Sequence, residues 1–213
     1  MGCASSKDGH SLKLTKPAPV AGQTACGPWL KSAEDLTDYP VFPAEYQQSL
    51  LSKHLTKEIW EEYKDKSDAA GVSFKTCIIS GCQNVDSGIG CYAGSHDSYK
   101  TFDKFFDGII ESYHKHGKNA NHVSNMNASE LNCPPLPEDE AAMIVSTRIR
   151  VGRNLEGYPL GPGITNEQRI EVMTKVTAAC ETFPGDLAGS FYSLKTMSKK
   201  DQNQLIADHF LFK

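Results

Sequence analysis

The sequence predicts an α+β chain, helical in its first half and mixed in helix and strand from residue 142 onward. Three observations carry that expectation. Tyr99, Phe102, Phe106, Ile109 and Tyr113 recur three or four residues apart, which puts them on one stripe of a helix. Ala142-Met143-Ile144-Val145 is a short apolar run of the kind that forms a strand, and it leads into the alternating segment Ser146-Thr147-Arg148-Ile149-Arg150-Val151. Beyond it, Thr165-x-x-Gln168 and Ser198-x-x-Asp201 are helix-opening patterns. The 213 residues, 39% hydrophobic and 23% charged, are enough for one large domain or two small ones.

Residues 1–43 hold five prolines (Pro17, Pro19, Pro28, Pro40 and Pro43) and no sustained periodicity, so they are expected as a tail or extended arm. The first six, Met1-Gly2-Cys3-Ala4-Ser5-Ser6, fit the pattern for myristoylation of Gly2, with Cys3 beside it as a palmitoylation site. Lys7, Lys13, Lys16 and Lys31 outnumber Asp8 over the first 31 residues and favour an anionic leaflet. A cytoplasmic protein held peripherally at a membrane is the expectation.

From about Ala44 to His114 the pattern is helical. Thr56 can cap a helix running through Lys64, with Leu55 and Trp60 placed as a hydrophobic staple. The aromatic stripe follows, with Gly108 a weak point in it. Between them lies the loop Asp86-Ser87-Gly88-Ile89-Gly90-Cys91-Tyr92-Ala93. Residues 115–141, rich in Asn, Pro and acid, read as a linker. After the strand segment comes a turn through Gly157, Pro159 and Gly161-Pro162-Gly163. A helix with Ile170, Met173, Val176 and Cys180 on one face follows. Phe191-Tyr192-Ser193-Leu194 reads as another strand, and a last helix leads into Asp208-His209-Phe210-Leu211-Phe212-Lys213.

Composition excludes several classes. A net charge of −4 argues against a nucleic-acid binder. No apolar run is long enough to span a bilayer, and no secretory signal is present. The seven cysteines match neither a zinc site nor a disulfide framework and are expected as reduced thiols. Without secretion, the sequon Asn127-Ala128-Ser129 is idle.

The arginine segment has a chemistry of its own. On a strand, Ser146, Arg148 and Arg150 share one face, with the two guanidiniums ~7 Å apart. Two planar forks at that spacing suit a polyphosphate, each binding oxygens of a different phosphate. An exposed strand carrying ion-paired arginines is the plainer alternative.

Three segments in register carry a family resemblance: Ser146–Arg150 with Gly152-Arg153, the Asp86–Ala93 loop, and Asp208–Lys213, together with the Tyr113-His114 helix end. In this order they resemble the phosphagen kinases, specifically the arginine kinases, over about Lys31 to Lys213. The resemblance implies a small all-α N-terminal domain followed by the first part of an antiparallel-sheet C-terminal catalytic domain. The expected division is an arm over 1–30, the helical domain over 31–115, a linker over 116–141 and a partial catalytic domain over 142–213.

The resemblance also implies roles. Arg148 and Arg150 would grip the nucleotide phosphates as catalytic residues, within a nucleotide-contacting segment Ser146, Thr147, Arg148, Ile149 and Arg150. His209 would be a further nucleotide contact; a helix-end cap is its plainer alternative. Gly88, Ile89, Gly90, Cys91 and Tyr92 would form the loop over the guanidino substrate, where glycines admit close backbone approach and N–H groups meet a carboxylate. Cys91 stands where an aliphatic residue is usual. The implied reaction is reversible transfer of the γ-phosphoryl of ATP, carried with Mg2+, to the guanidino group of L-arginine; no residue of this sequence is expected to ligate a metal itself. A taurocyamine or other guanidino acceptor is an alternative, and a catalytically dead membrane-tethered adaptor or pseudokinase is another of a different class. Family members are longer. Their further nucleotide arginines, two substrate-orienting glutamates and reactive cysteine match nothing here, so the chain is expected to be truncated and inactive by itself.

Overall fold

Phe74 lies at the centre of an aromatic cluster in the buried core, its ring 5.1 Å from Phe105 and 5.3 Å from Phe102. The computed structural model in which this is seen describes residues 14–132, 134–145, 147 and 149–211. The chain begins with two short strands, Gln23–Ala25 (β1) and Tyr39–Val41 (β2), paired in parallel with Gln23 opposite Tyr39 and Ala25 opposite Val41. Helices follow at Leu50–His54 (α1), Lys57–Tyr63 (α2), Phe74–Gln83 (α3), Ser98–Thr101 (α4) and Asp103–His114 (α5). A single turn, Glu138–Ala141 (α6), precedes the arginine segment. Beyond it lie Asn166–Glu181 (α7) and Lys199–Ala207 (α8).

Side-chain caps fix the helix starts. Ser49, Thr56 and Ser73 each accept a hydrogen bond from the backbone N–H three residues on, in Ser52, Ile59 and Thr76. Thr56 caps α2 as the sequence predicts, and both Leu55 and Trp60 are buried. The stripe of α4 and α5 buries Phe102, Phe106 and Ile109, leaves Tyr99 and Tyr113 at its exposed edges, and adds Phe105, which the spacing did not include. Gly108 is more than a weak point. A Cβ there would lie 2.8 Å from Nδ1 of His54, whose Nε2 is 2.8 Å from Ser112 Oγ, so the glycine admits the end of α1 against α5.

The expected N-terminal arm differs. Residues 1–13 lie outside the described residues, but Cys26, Leu30, Leu36, Pro40 and Phe42 are buried in the same core as the helices. Gln83 Nε2 of α3 donates to the Leu30 carbonyl at 3.0 Å. Three-residue strands are too short to show a period, which is why this segment reads as irregular. The described residues of 116–141 are exposed, with one 3-10 turn among them at Ala128–Glu130 besides α6.

No strand forms among the described residues of 142–151, nor at 191–194. Val145 is 99% exposed and Ile149 92%, so the apolar face expected to enter a core has none to enter. The cause is lack of neighbours: an isolated strand leaves its backbone groups unpaired and is not stable alone. Among the described residues the parallel β1–β2 pair is the sheet of the molecule.

The chain separates into two units, residues 1–164 and 165–213. The break falls after, not within, the segment expected as a linker, because residues 160–163 pack back onto the first unit through Gly94 and Val72. In the second unit, Thr165 and Gln168 form a reciprocal capping box at the start of α7 and Ser198 caps α8, both as the sequence predicts. Ile170, Met173 and Val176 of α7 remain exposed.

Candidate functional site: a loop with free backbone N–H groups

The 86–93 loop is held by two helices, α1 and α3. The carbonyls of Gly88 and Ile89 accept from Leu50 N–H at 3.0 Å and Leu51 N–H at 2.9 Å, the first turn of α1. That turn has N–H groups with no partner inside its own helix, and the loop supplies the acceptors. Tyr92 N–H donates to the Cys77 carbonyl of α3 at 2.8 Å. Gly90 has φ +86°, and a Cβ on Gly81 would lie 2.0 Å from its carbonyl oxygen, so loop and helix meet backbone to backbone.

With its carbonyls turned into the domain, the loop keeps its donors. The N–H groups of Gly88, Ile89, Gly90 and Cys91 make no hydrogen bond among the described residues. Unpaired N–H groups on successive residues are the donors from which a backbone nest for an anionic group such as a carboxylate is built; here Gly88 and Ile89 are exposed while Gly90 and Cys91 are buried. Ile89 and Tyr92 are exposed at its rim. The Cys91 side chain is buried, and desolvation, aided by the neighbouring Cys77, pushes its thiol up to about 12. It is a neutral packing group, not a nucleophile. Among the described residues Cys26, Cys77, Cys82, Cys91 and Cys180 are free thiols.

Behind the loop lies a carboxylate that sequence reading missed. Asp68 is buried without a cation; its Oδ2 accepts from Ser98 Oγ at 2.5 Å and Ser95 Oγ at 2.7 Å, and its Oδ1 from Val72 and Ala70 N–H at 2.9 and 3.0 Å. Burial works to raise its pKa, but these four donors outweigh it and hold the carboxyl below its ordinary value. Ser98 Oγ in turn accepts from Gly94 N–H at 3.1 Å, which fixes the chain just beyond Tyr92. No sequence spacing announces such a network. A cavity of about 340 Å3 opens between the loop, α5 and residues 154–162, lined among others by Tyr92, Tyr99, Tyr113, His114 and Asn154.

Residues 45–111, which contain this loop, match the family model of the ATP:guanido phosphotransferase N-terminal domain. The chain is 45% identical over 167 residues to an arginine kinase of Anthopleura japonica, covering 78% of this chain and 23% of that protein. It is 41% identical over 166 residues to arginine kinase Lit v 2.0101 of Penaeus vannamei, covering 78% and 47%. Residues 45–111 thus carry a phosphagen kinase N-terminal domain, and the chain is arginine kinase-like over 78% of its length. Among solved structures, the duplicated taurocyamine kinase of Schistosoma mansoni with bound transition state analog components is similar at TM-score 0.69 and 34% identity, over 80% of this chain and 24% of that one. A lombricine kinase is similar at TM-score 0.60 and 29% identity, over 87% and 50%. The chain thus spans less than half the length of the curated relatives it matches.

The other residues expected to act in a phosphagen kinase are less assembled. Ser146 and Arg148 lie outside the described residues, as do Gly2 and Cys3. Thr147, Ile149 and Arg150 are exposed on the first unit, and Arg153 Nη1 donates to the Gly152 carbonyl at 2.7 Å. His209 belongs to the second unit, exposed just past α8 with a left-handed φ of +64°, its N–H donating to the Ile206 carbonyl at 3.2 Å. Arg150 and Arg153 carry guanidiniums, which are donors only and suit a phosphate chain by charge. Among the described residues no group of three or more His, Cys, Asp or Glu is placed to hold a metal ion.

Proposed function

We propose that the complete protein transfers the γ-phosphoryl group of ATP reversibly to the guanidino group of L-arginine, giving ADP and phosphoarginine. The observation that carries the acceptor assignment is the row of unpaired N–H groups from Gly88 to Cys91. Four donors in sequence would hold the α-carboxylate of an amino-acid substrate and leave its guanidino end to extend toward the nucleotide. The similarity to arginine kinases supports arginine as the acceptor.

In this reading Ser146, Thr147, Arg148, Ile149 and Arg150 form the phosphate-contacting segment, with Arg148 and Arg150 neutralising charge as the P–O bond to the β-phosphate breaks, the N–P bond forms and the guanidino nitrogen gives up a proton to solvent. His209 contacts the nucleotide. Mg2+ brought in with the nucleotide would supply further charge neutralisation at the phosphate oxygens. Gly88, Ile89, Gly90 and Tyr92 position the acceptor, while Cys91 supports the loop from within the core. Alignment and charge neutralisation, more than covalent chemistry, are what the protein supplies.

A taurocyamine acceptor is the second reading, favoured by the likeness to the Schistosoma mansoni taurocyamine kinase. Taurocyamine carries a sulfonate, which the same nest could hold. An assay of ATP-dependent phosphorylation with the complete polypeptide, offered L-arginine, taurocyamine and lombricine in parallel, tests the assignment. Preference for L-arginine supports it, preference for a sulfonate or phosphodiester acceptor replaces it, and no transfer to any of the three favours the adaptor reading.

We also propose that Gly2 is myristoylated and Cys3 palmitoylated, which would hold the protein peripherally at a membrane surface. The support is the pattern Met1-Gly2-Cys3-Ala4-Ser5-Ser6 and the lysines that follow it. Among the described residues no helix is long and apolar enough to cross a membrane.

A further inference from the structure

Residues 160–164 fold into a turn, with Gly163 and Ile164 N–H both donating to the Leu160 carbonyl at 3.0 Å. This turn is attached to the end of the acceptor loop. Leu160 N–H donates to the Gly94 carbonyl at 2.8 Å, and the Leu160 side chain packs on the core. The approach is close: a Cβ on Gly163 would lie 2.4 Å from the Gly94 carbonyl oxygen and 2.6 Å from Val72 Cγ2, and one on Gly94 would lie 2.2 Å from Val72 Cγ1. Two glycines face each other where no larger residue fits.

The contact continues inward. The Gly94 carbonyl accepts from Leu160, Gly94 N–H donates to Ser98 Oγ, and the Ser98 hydroxyl donates to buried Asp68. An unbroken hydrogen-bond chain therefore joins the buried carboxylate, the loop end and residue 160. On its other side, residue 160 follows the arginine segment by only ten residues from Arg150.

We infer that residues 157–164 are a strap that sets the position of the 88–92 loop, with Leu160 and Gly163 as positioning residues. Gly94 is two residues from Tyr92, whose N–H ties the loop to the Cys77 carbonyl of α3. Releasing the strap frees Gly94 on the side that Ser98 does not hold, and the loop end gains freedom. The strap acts on the loop itself; its effect on acceptor affinity rests on the proposed reading of that loop.

Amide hydrogen exchange on the full chain, comparing wild type with Gly163→Val, tests the inference. Gly161→Ala is the control, since nothing lies within 4 Å of a Cβ at Gly161 in the same turn. The expected result is exchange about tenfold faster at both Leu160 and Tyr92 in Gly163→Val, with α5 amides and the control unchanged. Faster exchange at Leu160 with Tyr92 unchanged would overturn the inference, because the strap would then open without the loop. Equal acceleration throughout α5 would overturn it too, since the contact would be general packing. Binding of L-arginine is measured separately: about tenfold weaker binding in Gly163→Val is expected, whereas a wild type that binds no arginine would remove the acceptor reading and leave the exchange result standing.

Discussion

Gly81 and Gly90 meet backbone to backbone, so close that a Cβ on Gly81 would stand 2.0 Å from the Gly90 carbonyl oxygen. Neither position tolerates a side chain, and each for its own reason. Gly81 has no room, while Gly90 sits at φ +86° with Leu51 Cβ only 3.0 Å from where a Cβ would be.

Gly81→Ala should therefore destabilise the first unit by about 1–3 kcal/mol, the usual cost of overpacking. Gly90→Val adds left-handed strain to the clash and should be at least as damaging. Urea denaturation followed by tryptophan fluorescence reads both. In the complete enzyme, Gly90→Val should also raise the constant for the guanidino substrate more than that for ATP. A rise in the ATP constant alone would put the loop at the wrong site.

Asp68 makes stability depend on pH in a known direction. Its pKa is lowered in the folded state, so its contribution is fully present above the ordinary value of 3.8 and is lost as pH falls through the lowered folded value. Asp68→Asn should flatten this acid limb of the stability curve and, by removing charge-assisted bonds from Ser95 and Ser98, cost about 1–3 kcal/mol at pH 7. Equal acid sensitivity in variant and wild type would assign the limb to other carboxylates.

Much of this was legible beforehand, and the failures share a cause. The Thr56, Thr165 and Ser198 helix starts were readable because a cap is a local interaction spelled in four residues. The loop was readable as a motif, but the burial of Cys91 was not, since adjacent Gly90 and Tyr92 give no period from which to tell inside from outside. The β1–β2 pair, the Asp68 network and the Gly94–Gly163 contact all join residues distant in sequence, and composition carries no trace of such partners. The arginine strand fails in the opposite sense. Its alternating pattern suits a strand, yet a strand needs neighbours to pair with.

Arg150 is exposed on the first unit, free of packing duties. In the complete enzyme, Arg150→Ala should reduce phosphoryl transfer by orders of magnitude, because a charge-assisted phosphate clamp is worth several kcal/mol in the transition state. Arg148→Ala should behave alike. Near wild-type turnover in both would make the segment structural.

Membrane attachment, if it follows the acylation signal, should need two anchors. One myristoyl chain binds bilayers with an association constant of only about 10⁴ M⁻¹. Gly2→Ala should release the protein to the soluble fraction, and Cys3→Ser should weaken its retention. A wild-type protein wholly soluble after cell fractionation would end the idea.

The central claim is that the Gly88–Cys91 amides receive the carboxylate of a guanidino amino acid, and amide exchange of those residues with and without ligand tests it most directly. Agmatine, which is arginine without its carboxylate, is the comparison. L-Arginine should slow exchange at Gly88, Ile89, Gly90 and Cys91, and agmatine at matched concentration should leave them unchanged. Equal protection by both ligands, or none by arginine, would contradict the account.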